Sequence, residues 1–233
     1  MNTISDQLLV PRIALPHDVR EQQIEQLLQE RGAALSVQCV NWPETYGYCP
    51  KVKAQVAHDG TSLYIRFEVE GEGLKATCIN DNEPVWKDSA VEFFCRQEGE
   101  QTYRNFEFNC IGTALASSRS GRDTDVRHFD DVQMKRIFRH ASTPRQTFDE
   151  IPGIQHWSLT VGIPFDLMGC PQGFMPERML CNFYKCADET ANPHYLSWRP
   201  IHTPSPDFHR PEYFGMLILN HNDYHTHSLC SNL

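Results

Sequence analysis

D-N-E-P-V-W-K-D-S-A-V-E-F-F-C, residues 81–95, reads as a polar turn that becomes a strand. Trp86 stands at the end of the turn. From Ser89 the residues alternate: Val91, Phe93 and Cys95 point one way, and Ala90, Glu92, Phe94 and Arg96 point the other. The first set reads as a core face. Trp86 and Glu92 are an even number of residues apart, so an extended chain would bring them to the opposite face. An indole beside a carboxylate suits a saccharide. The flat ring takes the apolar C–H face of a pyranose, and the carboxylate accepts hydrogen bonds from its hydroxyls. The same pair also reads as a rim tryptophan over a loop and a solvated glutamate. Two residues alone leave both readings open.

Composition sets the bounds. A chain of 233 residues, 40% apolar with a mean hydropathy of −0.50, fits one large β domain or two small ones in a soluble protein. No apolar run approaches the roughly 18 residues needed to span a membrane. The start, M-N-T-I-S-D-Q-L-L-V-P, lacks a basic segment followed by an apolar one. The expectation is therefore a cytoplasmic chain, or a secreted or periplasmic one if a signal has been removed. A net charge of −9 argues against a nucleic-acid binder, which needs a basic face for phosphates.

The nine cysteines read as reduced, buried thiols; Cys39, Cys78, Cys95 and Cys110 sit in strand-like runs. Cys181 and Cys186 have odd spacing, which puts them on opposite faces of a regular strand and argues against a mutual disulfide. His194, His202 and His209 match no compact zinc signature.

Working outward from residues 81–95, residues 1–17 read as irregular, punctuated by Pro11 and Pro16. Asp18 is a good N-cap for a helix with Val19, Ile24, Leu27 and Leu28 as its stripe and Gly32 as its stop. S-V-Q-C-V-N-W (36–42) reads as a strand. Lys51 to His58 and S-L-Y-I-R-F-E-V-E alternate on either side of the turn Asp59-Gly60. In Y-R-N-F-E-F-N-C (103–110), Phe106, Phe108 and Cys110 share one face and Asn105, Glu107 and Asn109 the other. If this strand pairs with 89–96, Glu92, Glu107 and Asn109 form a polar row on the surface away from the core. Residues 117–133 read as a long loop. Further strands are M-K-R-I-F-R-H (134–140), W-S-L-T-V-G-I-P (157–164), M-L-C-N-F-Y-K-C (179–186) and Y-F-G-M-L-I-L-N (213–220). Between the last two lies a Pro- and His-rich loop. Roughly ten short strands and one N-terminal helix predict an all-β fold, an antiparallel two-sheet β-sandwich of the immunoglobulin or jelly-roll kind. It forms a single domain over residues 1–220, with a disordered tail at 221–233.

The order V-W-K-D-S-A-V-E-F-F, Y-R-N-F-E-F-N-C-I-G-T, W-S-L-T-V-G-I-P, C-N-F-Y-K-C, H-Y-L-S-W-R-P-I and F-H-R-P-E-Y-F-G resembles carbohydrate-binding module family 9. The likeness is to the family-9-like proteins of Bacteroidetes and covers about residues 8–220. It implies a non-catalytic β-sandwich, accessory to polysaccharide degradation. Such a module holds a mono- or oligosaccharide, such as the reducing end of a glucan or xylan, between two tryptophans, often with a structural calcium. Carried over by motif, the first tryptophan is Trp86 with Glu92, and the second is Trp198. Asn109 and Asn182 fall near the family's polar positions. Lys185, Tyr184 and Arg199 are added from local position. Asp81, Asp88 and Asp59 are candidate calcium ligands only because calcium prefers oxygen.

Two alternatives stand beside this reading. Glu92 and Glu107 could meet the spacing of a glycoside hydrolase, whose carboxyls lie about 5 Å or about 6.5–9.5 Å apart. The sandwich could also have lost sugar binding and serve as a structural or interaction protein.

Overall fold

Periodicity of two dominates the computed structural model, which describes residues 6–16 and 19–223. In chain order the elements are β1 (Gln7–Arg12), α1 (Glu21–Arg31), β2 (Ala33–Ser36), β3 (Cys39–Val40), β4 (Lys51–His58), β5 (Ser62–Ala76), β6 (Ala90–Arg96), β7 (Tyr103–Asn109), β8 (Ala114–Arg119), β9 (Arg127–His128), α2 (Asp131–Lys135), β10 (Phe138–Ala141), β11 (Phe148–Pro164), β12 (Arg178–Cys186), β13 (Tyr195–Ser197) and β14 (Gly215–Asp223). Val85–Lys87 and Pro211–Tyr213 form single 3-10 turns. The segment expected to be a loop at 117–133 instead carries the end of β8, all of β9 and the start of α2. Asp130 caps α2, accepting from the amides of Val132 and Gln133.

The strands join into one mixed sheet with the order β10-β11-β5-β4-β1-β14-β12-β6-β7-β8-β9. This corrects the purely antiparallel, two-sheet expectation. β1 runs parallel to both β14 and β4, so it stitches two antiparallel halves into one continuous ladder. Residues 1–17 had read as irregular because Pro11 lacks a ladder donor. The structure accommodates it at a register shift between Val10 and Arg12, where a proline costs least. The sheet then curls over itself. Phe67 of β5 meets Phe183 of β12 with ring centroids 6.3 Å apart, and Phe183 also packs on Phe93 at 5.0 Å. The faces predicted to be apolar line this interior: Leu63, Ile65, Phe67 and Val69; Val91, Phe93 and Cys95; Phe106 and Phe108; Leu159, Val161 and Ile163.

Each half has a second, outer face, and each is covered over part of its area. On the first half, α1 lays Ile24 and Leu28 against Ala57 and Ile13. Asp18, the expected N-cap, lies outside the described residues; α1 starts at Glu21 with Arg20 at the N-cap position, and the Gln23 side chain accepts from the Arg20 amide at 2.8 Å. Gly32 ends the helix for a reason other than left-handed backbone. Its φ is −66°, but a Cβ there would sit 2.6 Å from the Leu28 carbonyl oxygen and 3.0 Å from Gln55 Cβ. On the second half, the outer face of β6, β7 and β12 is covered by loops 41–48 and 187–214. These bring Trp42, Ile201 and Phe208 onto Ala90, Phe94, Tyr103 and Tyr184. The surface expected to face water is therefore a second, smaller core. β14 continues to Asp223, past the expected end of the domain at residue 220; residues 224–233 lie outside those described.

Phe183 is fully buried where the two halves meet. Phe183→Ala is expected to cost about 3–5 kcal/mol, read as a lowered midpoint in urea with the slope unchanged.

Candidate functional site

The covered outer face is not sealed. β6 and β7 pair antiparallel with Glu92 directly opposite Glu107, and β12 sets Tyr184 beside Glu92 and Cys186 beside Ala90. Strand alternation turns these side chains away from the main core and toward the loop layer. Between that layer and the sheet lies a pocket of about 490 Å³. Glu92, Glu107 and Cys186 line it from the strands. Trp86 and Asp188 line it from the connections beside them, and Tyr46, Tyr195, Phe208 and His209 from the covering loops. Arg119, at the end of β8, Arg122 and Asp123, in the turn that follows, and Pro206 and Asp207 complete it.

Aromatic contacts hold these walls in place. Phe208 stacks on Tyr184 with centroids 4.3 Å apart and planes 12° from parallel, and Tyr195 stands edge-on to Tyr46 at 4.8 Å. The Trp86 backbone is pinned by the Asp188 amide, which donates to its carbonyl at 3.2 Å. Lys87 Nζ lies 5.4 Å from the Trp86 ring centroid and is itself paired with Glu189 at 2.8 Å. The Arg122–Asp207 ion pair at 3.3 Å ties the β8–β9 turn to the loop carrying Phe208.

The polar side of the pocket is a buried relay. Arg119 Nη2 donates to Ser117 Oγ at 2.6 Å, Ser117 Oγ donates to Asn105 Oδ1 at 2.6 Å, and Asn105 Nδ2 donates to Glu107 Oε1 at 2.9 Å. Glu107 Oε2 is buried without a partner. Across the strand pair, the Cys186 thiol donates to Glu92 Oε1 at 3.1 Å. Burial pushes three of the carboxyls here, Glu92, Glu107 and Asp188, toward their neutral forms. Glu92 rises well above the usual carboxylate range, through burial and then the neighbouring Glu107. Glu107 rises to about 7 through burial, opposed by Arg119. Asp188 rises to about 6 through burial, opposed by a hydrogen bond with Tyr195. His209, 2.9 Å from the Tyr103 hydroxyl, is held neutral: burial and then Arg119 lower it to about 3.

Of the saccharide-binding residues expected from the resemblance, Trp86 and Glu92 line this pocket, joined by Glu107 of the hydrolytic alternative. Trp198 does not face Trp86. It is 4% exposed, edge-on to Phe183 at 5.7 Å, with its ring closed over Gly215, where a Cβ would come within 2.7 Å of it. The two-tryptophan clamp is thus corrected: L-S-W-R-P places Trp198 in the main core. Arg199 lies over the Trp198 ring, pairs with Asp6 and lines a separate pocket with Leu180 and Phe214. Asn182 is fully buried and spans backbone, donating to the Arg199 carbonyl at 3.1 Å and accepting from its amide at 2.9 Å. Asn109 is likewise fully buried, donating to the Cys78 carbonyl and to Asp88 and accepting from the Thr113 amide. Lys185 points to the opposite side of β12 from Glu92's row and donates to the Cys186 carbonyl at 2.6 Å, with His194 Nε2 at 2.9 Å.

The three calcium candidates are engaged elsewhere. Both Asp81 oxygens accept from Arg139, at 2.6 and 2.9 Å. Asp88 accepts from Thr77, Cys78 and Asn109. Asp59 closes its turn on Thr61, Ser62 and Tyr64. Among the described residues no group of three acidic, His or Cys side chains is arranged to hold a metal.

Residues missed from sequence are Tyr46, Tyr195, Phe208, His209, Asp188, Arg119 and Arg122. Most sit in loops, where no period marks them. Glu107 was recognisable only through its pairing with Glu92.

A family model described as carbohydrate-binding family 9 matches residues 21–219. A candidate carbohydrate-binding protein from Bacteroides uniformis is similar over 92% of this chain and 99% of its own, at 30% identity and a TM-score of 0.86. A family 9 module from Caldicellulosiruptor kristjanssonii, solved with glucose, covers 95% of this chain and 99% of its own at 9% identity and a TM-score of 0.59. A structure of a family 9 module from the same organism with cellotriose covers 97% and 98%, at 10% identity and 0.57. At that identity the last two speak for the fold. Among curated protein sequences none matches.

Two outcomes follow from the geometry. Trp198→Ala is expected to cost about 3–5 kcal/mol in chemical denaturation, as a core tryptophan does. The raised carboxyls give a pH signature. A carboxyl whose folded pKa lies above its unfolded value adds stability below about 4.5 that is lost as pH rises through about 7. Glu107→Gln keeps an acceptor for Asn105 and removes the ionisation. Its melting temperature relative to wild type is expected to rise between pH 4.5 and pH 8.

Proposed function

The chain belongs to carbohydrate-binding family 9, and we propose that it binds a saccharide ring in the pocket walled by Trp86, Tyr195 and Phe208. The observation that carries this reading is the meeting of aromatic walls and buried carboxyls in one concave site of about 490 Å³, which lies within the range of ligand pockets, about 300–1,000 Å³. Aromatic rings take the apolar face of a pyranose, and Glu92, Glu107 and Asp188 supply acceptors for its hydroxyls. His209 and Arg119 supply polar edges on the far side. The two Caldicellulosiruptor structures, solved with glucose and with cellotriose, support a gluco-configured ring as the first probe. A role beside polysaccharide-degrading enzymes follows from the same reading.

Glu92 and Glu107 face each other across β6 and β7, which is the arrangement a hydrolytic reading would use. Glycoside hydrolysis keeps one of its two carboxyls ionised as nucleophile or base. Burial raises both here, and no motif in the sequence marks an acid/base pair, so the reading is binding rather than bond cleavage.

Calorimetric titration with glucose, cellobiose, xylobiose and galactose tests the proposal. At least one is expected to bind with micromolar to millimolar affinity, and Trp86→Ala to weaken it about tenfold, the worth of one stacked ring. The sugar is expected to be recovered uncleaved. Absence of heat with all four, or equal affinity in wild type and Trp86→Ala, would overturn the reading.

A further inference from the structure

Carboxyl groups crowd one side of the pocket. Glu92 and Glu107 are register partners on β6 and β7, and Asp188 follows β12 into the same wall. Glu107 is 3% exposed, and its Oε2 has no hydrogen-bond partner although the residue lines the pocket. An unpartnered, buried carboxyl oxygen is costly unless something donates to it.

The opposing charges near this group are already committed. Arg119 spends its Nε and Nη2 on Ser117 and its Nη1 on the Arg122 carbonyl. Arg122 pairs with Asp207, which also pairs with Arg210. Lys185 lies on the other side of β12, bonded to Cys186 and His194. His209 is neutral. From β12, the Cys186 thiol gives Glu92 a weak donor. Asp123, a further acid, lines the pocket near Arg122.

We infer that the pocket selects a saccharide bearing a protonated amine, with its ammonium group against Glu92, Glu107 and Asp188. This rests on the saccharide-binding reading and narrows it to a ligand class. An ammonium carries three N–H donors and a positive charge, whereas a sugar hydroxyl carries one donor and none. Three carboxyls converging from separate elements match the former. Without a cation, burial biases the strand pair toward its protonated forms. With one, the carboxyls ionise against it and form charge-assisted bonds. Binding of the amine therefore releases protons from the pocket, and its affinity rises between pH 5 and pH 7. A neutral sugar shows neither effect. An N-acetyl group removes the charge and adds bulk, so the acetylated sugar loses the advantage.

Titration calorimetry with glucosamine, glucose and N-acetylglucosamine, at pH 5 and pH 7 and in two buffers of different ionisation heat, tests this. At pH 7 glucosamine is expected to bind about tenfold tighter than glucose, the worth of a charge-assisted contact. It should release protons, and its advantage should shrink at pH 5. Glu107→Gln, and independently Asp188→Asn, are expected to reduce both the advantage and the proton release. If glucose binds as tightly as glucosamine at pH 7, or no protons are released, the amine assignment is overturned while the saccharide pocket stands. If none of the three sugars gives heat, both fall together.

Discussion

The antiparallel pairing of β6 with β7, both faces of which are buried, is the constraint on which the rest of the molecule depends. One face feeds Val91, Phe93, Phe106 and Phe108 into the main core. The other feeds Ala90, Phe94 and Tyr103 into a second apolar cluster under the loops. Because side chains alternate, the same pairing must also carry Glu92 and Glu107 into that second layer, directly opposite one another. Two carboxyls so placed in a dry setting cannot both ionise without a partner, and their environment drives them toward the neutral form. The pocket is where the loop layer leaves room above them.

That arrangement divides the labour of the fold. The curled sheet, closed through the parallel strand β1, supplies a rigid base. Loops 41–48 and 187–214 supply the aromatic walls, and those loops are fixed by their own stacking and by backbone hydrogen bonds to Asn41 and Asn182. Asn182, buried and bonded to the Arg199 backbone, acts as a splice between β12 and the strand-to-loop segment that carries Trp198. Its influence on a ligand is through position. Lys185 has a comparable role on the other side of the strand, with burial lowering its pKa to about 8.

Much of the fold was legible in the sequence because alternation reports which face is apolar. The strands at 51–58, 62–76, 90–96, 103–109 and 178–186 all carry it, and so does the pairing that juxtaposes Glu92 with Glu107. Alternation says nothing about strand direction or closure, so the parallel pairs of β1 were invisible, and Pro11 actively argued against a strand there. It also cannot say whether a polar face meets water or a layer of loop. Trp198 illustrates the limit. It entered the expected site through its motif alone, yet Gly215 across the fold leaves a flat place for its ring. Trp86 lines the same pocket as Glu92 because it ends a turn beside the strand that carries Glu92. Phe208 and His209 come from an aperiodic loop, and Tyr195 from a three-residue strand too short to show a period; they became visible only once this segment had been laid over β12.

Trp86 is the one tryptophan of the four that is not buried, since Trp42, Trp157 and Trp198 all are. Oxidation with a tryptophan-selective reagent, mapped by peptide mass spectrometry with and without cellobiose or glucosamine, therefore reads the site directly. The account predicts that Trp86 is modified first and that saccharide shields it, while the other three stay inert in both conditions. Modification of Trp86 at the same rate with and without saccharide, or shielding confined to Trp198, would contradict it.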